Sequence, residues 1–206
     1  MDRNMLLPRK AELLRRLLRS GTRVITIGLL TVGLLAGSWA VYLQIVGNIH
    51  VVTPGIVYRS AQLNGTRLSD TLKQYQIKSV INLRGDSVGE GWYTDELKVT
   101  AVHGARHYDL GMRAKERPDV ETIKKMFNIL RMAPRPILIH CNSGSDRTGL
   151  VAAIYKYFLE GRPVEEAASQ LSFRFGHFPW LGSGTKAMDE TFERLVSGKA
   201  ADEVIE

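Results

Sequence analysis

Residues 137–149 read ILIHCNSGSDRTG: a short apolar run, then a cysteine, a glycine-containing loop and an arginine–threonine pair. The run ILIH is apolar without alternation, which is typical of a strand buried on both faces in a parallel sheet. Ligands bind open α/β sheets at the carboxyl ends of such strands, and Cys141 stands at that position. We therefore expect an α/β protein whose functional site lies where this strand ends.

Strand and helix patterns alternate on both sides of this stretch. Pro54 and Gly55 separate two strand-like runs, and Pro118 and Pro163 mark the starts of helices. This order predicts an α/β fold, with a central, mostly parallel sheet flanked by helices and preceded by one transmembrane helix. Besides 137–140, the predicted strands are a pair within 47–64, 78–83 and 105–110, and the predicted helices are 66–76, 92–102, 119–132, 148–159, 163–173 and 184–196.

The net charge of +7 belongs mainly to the first 23 residues, which hold seven basic and two acidic side chains. Residues 47–206 hold 21 basic and 19 acidic side chains, so they carry little net charge. A nucleic-acid partner is therefore not expected, because no basic stripe is visible beyond the N-terminus. The single cysteine cannot form an intramolecular disulfide, so core packing must hold the fold together.

Residues 24–46 form an uncharged run of 23 positions. As a helix with a rise of about 1.5 Å per residue, this run is long enough to cross a hydrocarbon core of about 30 Å. The Lys and Arg residues before it predict a cytoplasmic N-terminus and a following domain outside the cytoplasm. We expect a basic cytoplasmic segment at 1–23, a transmembrane helix at 24–46 and a catalytic domain at 47–206. A cleaved signal peptide and a buried core helix are the alternatives.

The basic segment also has helical periodicity. Its leucines recur at helical spacing beside arginines, as in a helix that lies on an anionic membrane surface. We expect this electrostatic attraction to strengthen the membrane anchor. The residues concerned are Leu13, Leu14, Leu17 and Leu18 with Arg15, Arg16 and Arg19.

Residues 141–147, here called the cysteine loop, have the composition of an anion-binding site. Backbone N–H groups of such a loop converge on a phosphate, the following helix adds positive potential, and Gly144 accepts a conformation that a side chain would hinder. The same field favours the thiolate of Cys141, and the planar guanidinium of Arg147 can hold two phosphoryl oxygens. The predicted substrate-binding residues are Asn142, Ser143, Gly144, Ser145, Asp146 and Thr148.

These residue types predict covalent catalysis through a cysteinyl-phosphate, formed by in-line attack of Cys141 and hydrolysed by water. Thr148 is placed to hydrogen-bond the sulfur as it leaves, and His140 is placed to orient the loop. The chemistry needs no cofactor and no metal. Three alternatives remain open: a buried unreactive cysteine, sulfur transfer of the rhodanese type, and a phosphate-binding pseudophosphatase that does not turn its ligand over.

The HCx5R[ST] motif at 140–148 resembles the signature of the protein tyrosine and dual-specificity phosphatase superfamily. Further stretches resemble a bacterial, membrane-anchored branch of the dual-specificity-like phosphatases. They are YRSAQL (58–63), VINLRG (80–85), the WY pair (92–93), GSDRTGL (144–150) and QLSFRFGHF (170–178). The resemblance covers residues 47–180 and implies hydrolysis of phosphomonoesters. With the predicted topology, it implies the bacterial inner membrane as the location and the periplasmic side for the phosphatase domain.

Expulsion of an alcohol or phenol requires a protonated carboxylic acid, which this superfamily usually supplies as an aspartate about thirty residues before the nucleophile. Asp109 lies 32 residues before Cys141 and is the predicted general acid, with a salt-bridged or surface carboxylate as the alternative. Glu116 is the second candidate, and its alternative role is a solvated charge. If neither residue serves, the substrate must carry a good leaving group.

Other charged residues are candidates for supporting roles. A basic group could ring the pocket mouth, with Arg113 as the foremost member, although isolated surface charges commonly serve solubility. Two residues of the FRFGHF segment would support the cysteine loop from behind or lie at the edge of the core. The mouth candidates are Arg84, Arg113, Lys115 and Arg117, and the two supporting candidates are Arg174 and His177.

The substrate class remains open between a phosphorylated protein and a membrane lipid phosphate. The cysteine loop lacks the lysine of phosphoinositide-directed relatives, and the charge of Asp146 would repel a polyphosphorylated headgroup. A membrane tether instead raises the effective concentration of lipid phosphates in the same bilayer. Phosphotyrosine or a related phosphoprotein is the first expectation, and a phosphatidylglycerophosphate-like headgroup is the second.

Overall fold

The computed structural model describes residues 6–198, with side chains from residue 21 onward. The chain divides into two compact units, Met1–Tyr42 and Leu43–Glu206. Helix α1, Leu6–Val46, accounts for the described part of the first unit and supplies the opening residues of the second. The leucines and arginines of the predicted surface-lying helix, at 13–19, have side chains outside the described part.

Within α1, the stretch Gly21–Val46 has the length and composition of a membrane span. Its mean hydropathy is 2.0 and none of its apolar window is buried. The predicted span at 24–46 lies inside this stretch. A buried core helix does not fit this exposure, because such a helix would have its apolar residues covered.

The second unit is built on a five-stranded sheet. The strands lie in the order β1-β2-β5-β3-β4, with β1 antiparallel to β2 and the other neighbouring pairs parallel. The predicted α/β fold with a mostly parallel sheet is therefore confirmed. The strands are β1 His50–Thr53, β2 Val57–Ser60, β3 Ser79–Asn82, β4 Arg106–Asp109 and β5 Ile137–His140.

Helices cover both faces of this sheet, because side chains alternate along the strands. Ile137 and Ile139 of β5 pack in one core cluster, and Leu138 packs in the other. The first cluster takes residues from α4, α5 and α7, and the second takes residues from α2. The helices are α2 Gly65–Gln74, α3 Gly91–Val102, α4 Val120–Met132, α5 Asp146–Ile154, α6 Val164–Ala168 and α7 Lys186–Val196.

The predicted helix at 163–173 is wrong in its extent. The α-helix stops at Ala168, and a short 3-10 helix, Phe173–Phe175, follows after a turn. The carbonyl of Gln170 accepts a hydrogen bond from Arg59 Nη1 at 2.8 Å, so it lies outside the helical hydrogen-bond pattern. The chain is thereby redirected toward the cysteine loop.

The predicted helix at 148–159 is displaced in its start and altered at its end. α5 begins two residues earlier, at Asp146, so the helix starts inside the cysteine loop itself. Its continuation, Tyr155–Leu159, is a π-helix. The helix N-terminus is therefore closer to Cys141 than the sequence pattern indicated.

Candidate active site

The cysteine loop joins the end of β5 to the start of α5, and its carbonyl groups point outward. Each carbonyl from 142 to 145 accepts a hydrogen bond from outside the loop. The donors are Gln62 N to Asn142 O (3.0 Å), Asn48 Nδ2 to Ser143 O (2.9 Å), and Arg59 Nη2 to Gly144 O (2.8 Å) and Ser145 O (3.2 Å). In a planar trans peptide the next N–H points opposite to the carbonyl. The N–H groups of 143–146 therefore face the inside of the loop.

Cys141 lies at the base of this loop, with 1% of its surface exposed. The N–H of Gly144 donates to its Sγ at 3.3 Å, which fits the inward direction of the loop amides. Such N–H groups stabilise an anion, whether a thiolate or a phosphoryl oxygen. The sulfur and the anion-binding amides therefore share one site.

Gly144 makes the close approach of the loop to β2 possible. Its φ is +74°, and a Cβ added there would lie 2.6 Å from Ala61 N and from Ser60 O. No side chain fits at that distance from the backbone. The prediction that this position requires glycine is confirmed by both its conformation and its surroundings.

The N-terminus of α5 adds positive potential to the same site. Ser145 occupies the cap position without a side-chain hydrogen bond to the helix, so its hydroxyl does not take up the first helical N–H groups. The helix dipole favours negative charge at this end. The amino end of α5 thus reinforces the loop amides.

Arg147 reaches across the site from the first turn of α5. Its Nη1 donates to the carbonyls of Leu83 and Met112, each at 3.1 Å, and these residues follow β3 and β4. Its Nε is buried and has no hydrogen-bond partner among residues 21–198. One nitrogen therefore fixes the guanidinium, and the Nε donor is left unused by the described part of the chain.

Thr148 lies beneath the loop and is fully buried. Its Oγ1 has no hydrogen-bond partner in the described part of the chain, and it makes no hydrogen bond to the sulfur of Cys141. A buried hydroxyl without a partner is costly and is commonly explained by a functional partner. The role predicted for Thr148 stays a prediction.

His140 is oriented by a buried carboxylate that the sequence patterns did not indicate. Its Nε2 contacts Glu96 Oε1 at 3.1 Å, and His107 Nε2 contacts the same oxygen at 2.8 Å. Gln62 Nε2 donates to the other oxygen at 2.9 Å. Burial alone would raise the pKa of Glu96, but the hydrogen bonds from His107, His140 and Gln62 outweigh it and lower the pKa below its usual range. Glu96 is therefore an ionised anchor for the histidine next to Cys141.

Arg59 holds the cysteine loop from below. It is fully buried, and its Nη1 donates to Gln170 O at 2.8 Å and to Gln170 Oε1 at 2.9 Å, while Nη2 holds two loop carbonyls. Its guanidinium carbon lies 3.9 Å from the ring centre of Phe175. Burial lowers the pKa of Arg59 to about 9, and the negative charges of Cys141 and Asp146 oppose this shift. Its positive charge thus lies directly behind the anion site.

His177 also contacts the cysteine loop. Of its two predicted roles, support of the loop and a place at the edge of the core, the contacts fit the first. Its Nδ1 contacts Asp146 Oδ1 at 2.7 Å, and its Nε2 contacts Asp189 Oδ2 at 2.8 Å. Burial alone would lower the pKa of His177, but these bonds outweigh it and raise the pKa to about 9. The ring therefore carries a proton at neutral pH, and its charge is shared between Asp146 and Asp189.

Asp109 ends β4 at the same edge of the sheet as Cys141, but two strands away. Its Oδ1 accepts from Asn82 Nδ2 at 2.8 Å, and its Oδ2 accepts from the hydroxyl of Tyr93 at 2.7 Å. The hydrogen bond to Asp109 raises the pKa of Tyr93, because the phenol proton is held by the carboxylate. Both oxygens of Asp109 are thus hydrogen-bonded, one from β3 and one from α3, and His107 Nδ1 lies 3.6 Å from Oδ2.

Most of the other predicted charged residues are exposed. Glu116 pairs with Arg113 at 2.9 Å, and the two side chains are 61% and 79% exposed. Arg117 faces Glu190 at 3.9 Å. Arg174 is exposed, and its guanidinium carbon lies 5.5 Å from the ring centre of Phe175. No contact with the cysteine loop was found for Arg174 within residues 21–198.

Sequence reasoning assigned no role to Arg59, Gln62 or Glu96. Arg59 had a signal, since it is a charged residue inside the buried strand VYRS. Gln62 and Glu96 had none, because polar residues in a loop and on a helix are common. Their roles depend on which strand ends lie side by side.

A family model described as the tyrosine phosphatase family matches residues 44–163, and the chain belongs to this family. The chain is 28% identical over 136 residues to the dual specificity protein phosphatase TpbA of Pseudomonas aeruginosa, covering 65% of this chain and 57% of that protein. It is 32% identical over 113 residues to the inositol diphosphatase SIW14 of Saccharomyces cerevisiae, covering 52% and 38% respectively. The chain thus spans about half the length of these curated relatives.

Solved structures show the same fold. The crystal structure of P. aeruginosa TpbA has a TM-score of 0.58 at 24% identity and covers 76% of this chain and 91% of that chain. The core catalytic domain of the PP-IP phosphatase SIW14 has a TM-score of 0.55 at 22% identity, with coverages of 75% and 91%. The similarity confirms the predicted α/β fold of the cysteine phosphatases.

Proposed function

We propose that this protein is a cysteine-dependent phosphatase of the tyrosine and dual-specificity type, with Cys141 as nucleophile and Arg147 as phosphate-binding residue. The observation that carries the proposal is the outward bonding of four successive loop carbonyls, together with the hydrogen bond from the N–H of Gly144 to Cys141 Sγ. The unpaired Nε of Arg147 provides a further donor for phosphoryl oxygens. The family membership supports the same chemistry.

The proposed reaction has two displacement steps at phosphorus. The thiolate of Cys141 attacks in line and forms the S–P bond as the P–O bond to the leaving group breaks, and the general acid gives its proton to the leaving oxygen. Water then attacks phosphorus, the S–P bond breaks, inorganic phosphate leaves and the acid regains a proton. The loop amides and Arg147 stabilise the charge on the equatorial oxygens in both steps.

The loop residues Asn142–Asp146 are the proposed substrate-binding segment, and they act mainly through their N–H groups. Thr148 is proposed to donate to the sulfur of Cys141 when the S–P bond breaks, for which its unpaired Oγ1 is available. His140, fixed by Glu96, orients the loop.

A direct test is hydrolysis of p-nitrophenyl phosphate by the full chain in detergent micelles, with a metal chelator present. Wild-type protein is expected to turn over, and Cys141→Ser is expected to lose at least about a thousandfold in kcat, because the serine hydroxyl is a far weaker nucleophile. Equal activity of the two proteins would refute the cysteine mechanism. Phosphate binding without turnover by the reduced wild type would instead indicate a pseudophosphatase.

Asp109 is the proposed general acid. The proposal requires its carboxyl to take up a proton and to turn that proton toward the leaving oxygen, which breaks the hydrogen bond from Tyr93 or from Asn82 to the protonated oxygen. Asp109→Asn is expected to lower kcat by about a hundredfold for alkyl phosphates, which need acid assistance, and far less for p-nitrophenyl phosphate. If Glu116→Gln instead loses kcat for alkyl phosphates but not for p-nitrophenyl phosphate, and Asp109→Asn does not, the general acid is Glu116.

The proposed natural substrate is a phosphorylated protein. TpbA is named a dual specificity protein phosphatase, and one of its crystal structures is a complex with pTyr. A membrane lipid phosphate is the second candidate, favoured by the apolar stretch Gly21–Val46. Vesicles that contain a phosphatidylglycerophosphate-like lipid, assayed beside phosphotyrosine peptides, separate the two. Turnover of peptides alone would exclude the lipid.

We also propose that residues 24–46 anchor the chain in a bacterial inner membrane, with 1–23 in the cytoplasm and the phosphatase domain 47–206 in the periplasm. The apolar stretch and the basic residues before it support this arrangement. A C-terminal tag should be digested by protease added to cells with a permeabilised outer membrane. Protection until the inner membrane is lysed would reverse the orientation.

A further inference from the structure

The basic residues near the site differ in how their charge is compensated. Arg113 forms an ion pair with Glu116, and Arg117 faces Glu190. Arg147 belongs to the proposed phosphate site. Arg84 has no carboxylate within ion-pair distance among residues 21–198. An uncompensated arginine next to an anion site is a candidate for ligand recognition.

The position of Arg84 is fixed by three neighbours. It directly follows Leu83, whose carbonyl holds Arg147 Nη1. The backbone N–H of Arg84 donates to Asn82 Oδ1 at 2.9 Å, and the guanidinium carbon lies 3.7 Å from the ring centre of Trp92. A guanidinium stacked on an aromatic face keeps its edge free for hydrogen bonds in the plane.

One residue connects this guanidinium to the cysteine loop. Gln62 Oε1 accepts from Arg84 Nη1 at 3.4 Å, and the backbone N–H of Gln62 donates to Asn142 O at 3.0 Å. Arg84 therefore stands beside the loop, separated from it by a single side chain.

The charge environment of Arg84 agrees with this proximity. Burial lowers the pKa of Arg84, the positive charge of Arg147 lowers it further, and the negative charges of Glu96, Glu90 and Cys141 oppose the shift. Two guanidinium groups that repel each other at one site are stabilised together by a ligand with more than one negative group.

We propose that Arg84, supported by Trp92, binds a second anionic group of the substrate, so that the enzyme prefers phosphomonoesters that carry another phosphate or a carboxylate near the scissile group. This inference rests on the proposed function and names the substrate class of the same site. One charge-assisted contact of this kind corresponds to about a tenfold gain in kcat/KM.

The test compares phenyl phosphate with two matched substrates, meta-carboxyphenyl phosphate and resorcinol bisphosphate, using the full chain in detergent. Wild type is expected to prefer the two doubly anionic substrates by about tenfold in kcat/KM, and Arg84→Gln should lose most of that preference. Trp92→Leu should lose part of it. Arg131→Gln is the control, because Arg131 also lies over a ring, Phe127, at 5.5 Å, but on the last turn of α4.

A second measurement does not depend on turnover. In the Cys141→Ser background, the Kd for resorcinol bisphosphate relative to phenyl phosphate should rise about tenfold on Arg84→Gln and stay constant on Arg131→Gln. If Arg84→Gln lowers the affinity for phenyl phosphate, meta-carboxyphenyl phosphate and resorcinol bisphosphate by the same factor, Arg84 has no role in recognising the second anionic group. Loss of turnover in wild type with the affinity preference intact would refute the proposed function and leave the anion subsite standing.

Discussion

The stability of this protein should fall between neutral and alkaline pH because of one buried histidine. His177 donates to Asp146 and Asp189, and its pKa is raised to about 9 despite the opposing effect of burial. The pKa of His177 is therefore higher in the folded protein than its value of about 6.5 in the unfolded chain. Its contribution to the free energy of unfolding is fully present below about pH 6.5 and is lost as the pH rises through about 9. The difference of about 2.5 between the folded and unfolded pKa values corresponds to about 3 kcal/mol in the free energy of unfolding.

The assay is thermal unfolding of the full chain in detergent, followed by tryptophan fluorescence from about pH 6 to pH 10. For a domain of this size, about 3 kcal/mol corresponds to a fall in Tm of roughly 6–12 °C. His177→Asn should be less stable than wild type at neutral pH and should have a flatter pH dependence. His103→Asn is the matched control, because His103 has a neutral partner, Ser69 Oγ, at 2.9 Å. A pH dependence that is the same in His177→Asn and wild type would refute the assignment.

Three further substitutions test how the cysteine loop is held. Glu96→Gln removes the negative charge that orients His140. With p-nitrophenyl phosphate it should lower kcat by about tenfold or more. An unchanged kcat would contradict the role of Glu96. Arg59→Lys keeps the positive charge, but a lysine cannot bond all the carbonyl groups that Arg59 holds. Chemical denaturation should show a free energy of unfolding lower by about 2–4 kcal/mol. An unchanged denaturation midpoint would be inconsistent with this role of Arg59. Gly144→Ala brings a methyl group to 2.6 Å from backbone atoms. Calorimetry should therefore show that the affinity for inorganic phosphate is lost. Retained affinity would disprove the requirement for glycine at this position.

Local patterns were sufficient for most of the fold. The apolar strand at 137–140 and the Pro54-Gly55 turn each reflect a rule of local structure, and both were found where they were predicted. The helix predicted at 163–173 ends already at Ala168, and the carbonyl of Gln170 beyond it accepts a hydrogen bond from a residue far away in the sequence, Arg59. Hydrophobic spacing contains no information about such a contact.

The candidate site was predictable only in its contiguous part. Cys141, Gly144 and Arg147 lie within seven residues, so their joint chemistry could be read from one motif. Glu96 lies 45 positions before Cys141 and reaches the site because α3 packs beside the ends of β4 and β5. The expectation that Asp146 repels polyanionic ligands stays a prediction, because the charge of His177 is shared between Asp146 and Asp189.

The most direct test of the central claim is detection of the covalent intermediate. The full chain would be mixed with a rapidly reacting aryl phosphate, quenched in acid, digested and analysed by mass spectrometry for phosphate on the peptide that contains Cys141. We predict a phosphoryl adduct on Cys141 that forms and decays with the kinetics of turnover and is absent in Cys141→Ser. Phosphate release at the full rate without any adduct on Cys141, or with Cys141→Ser equally active, would contradict the cysteinyl-phosphate mechanism.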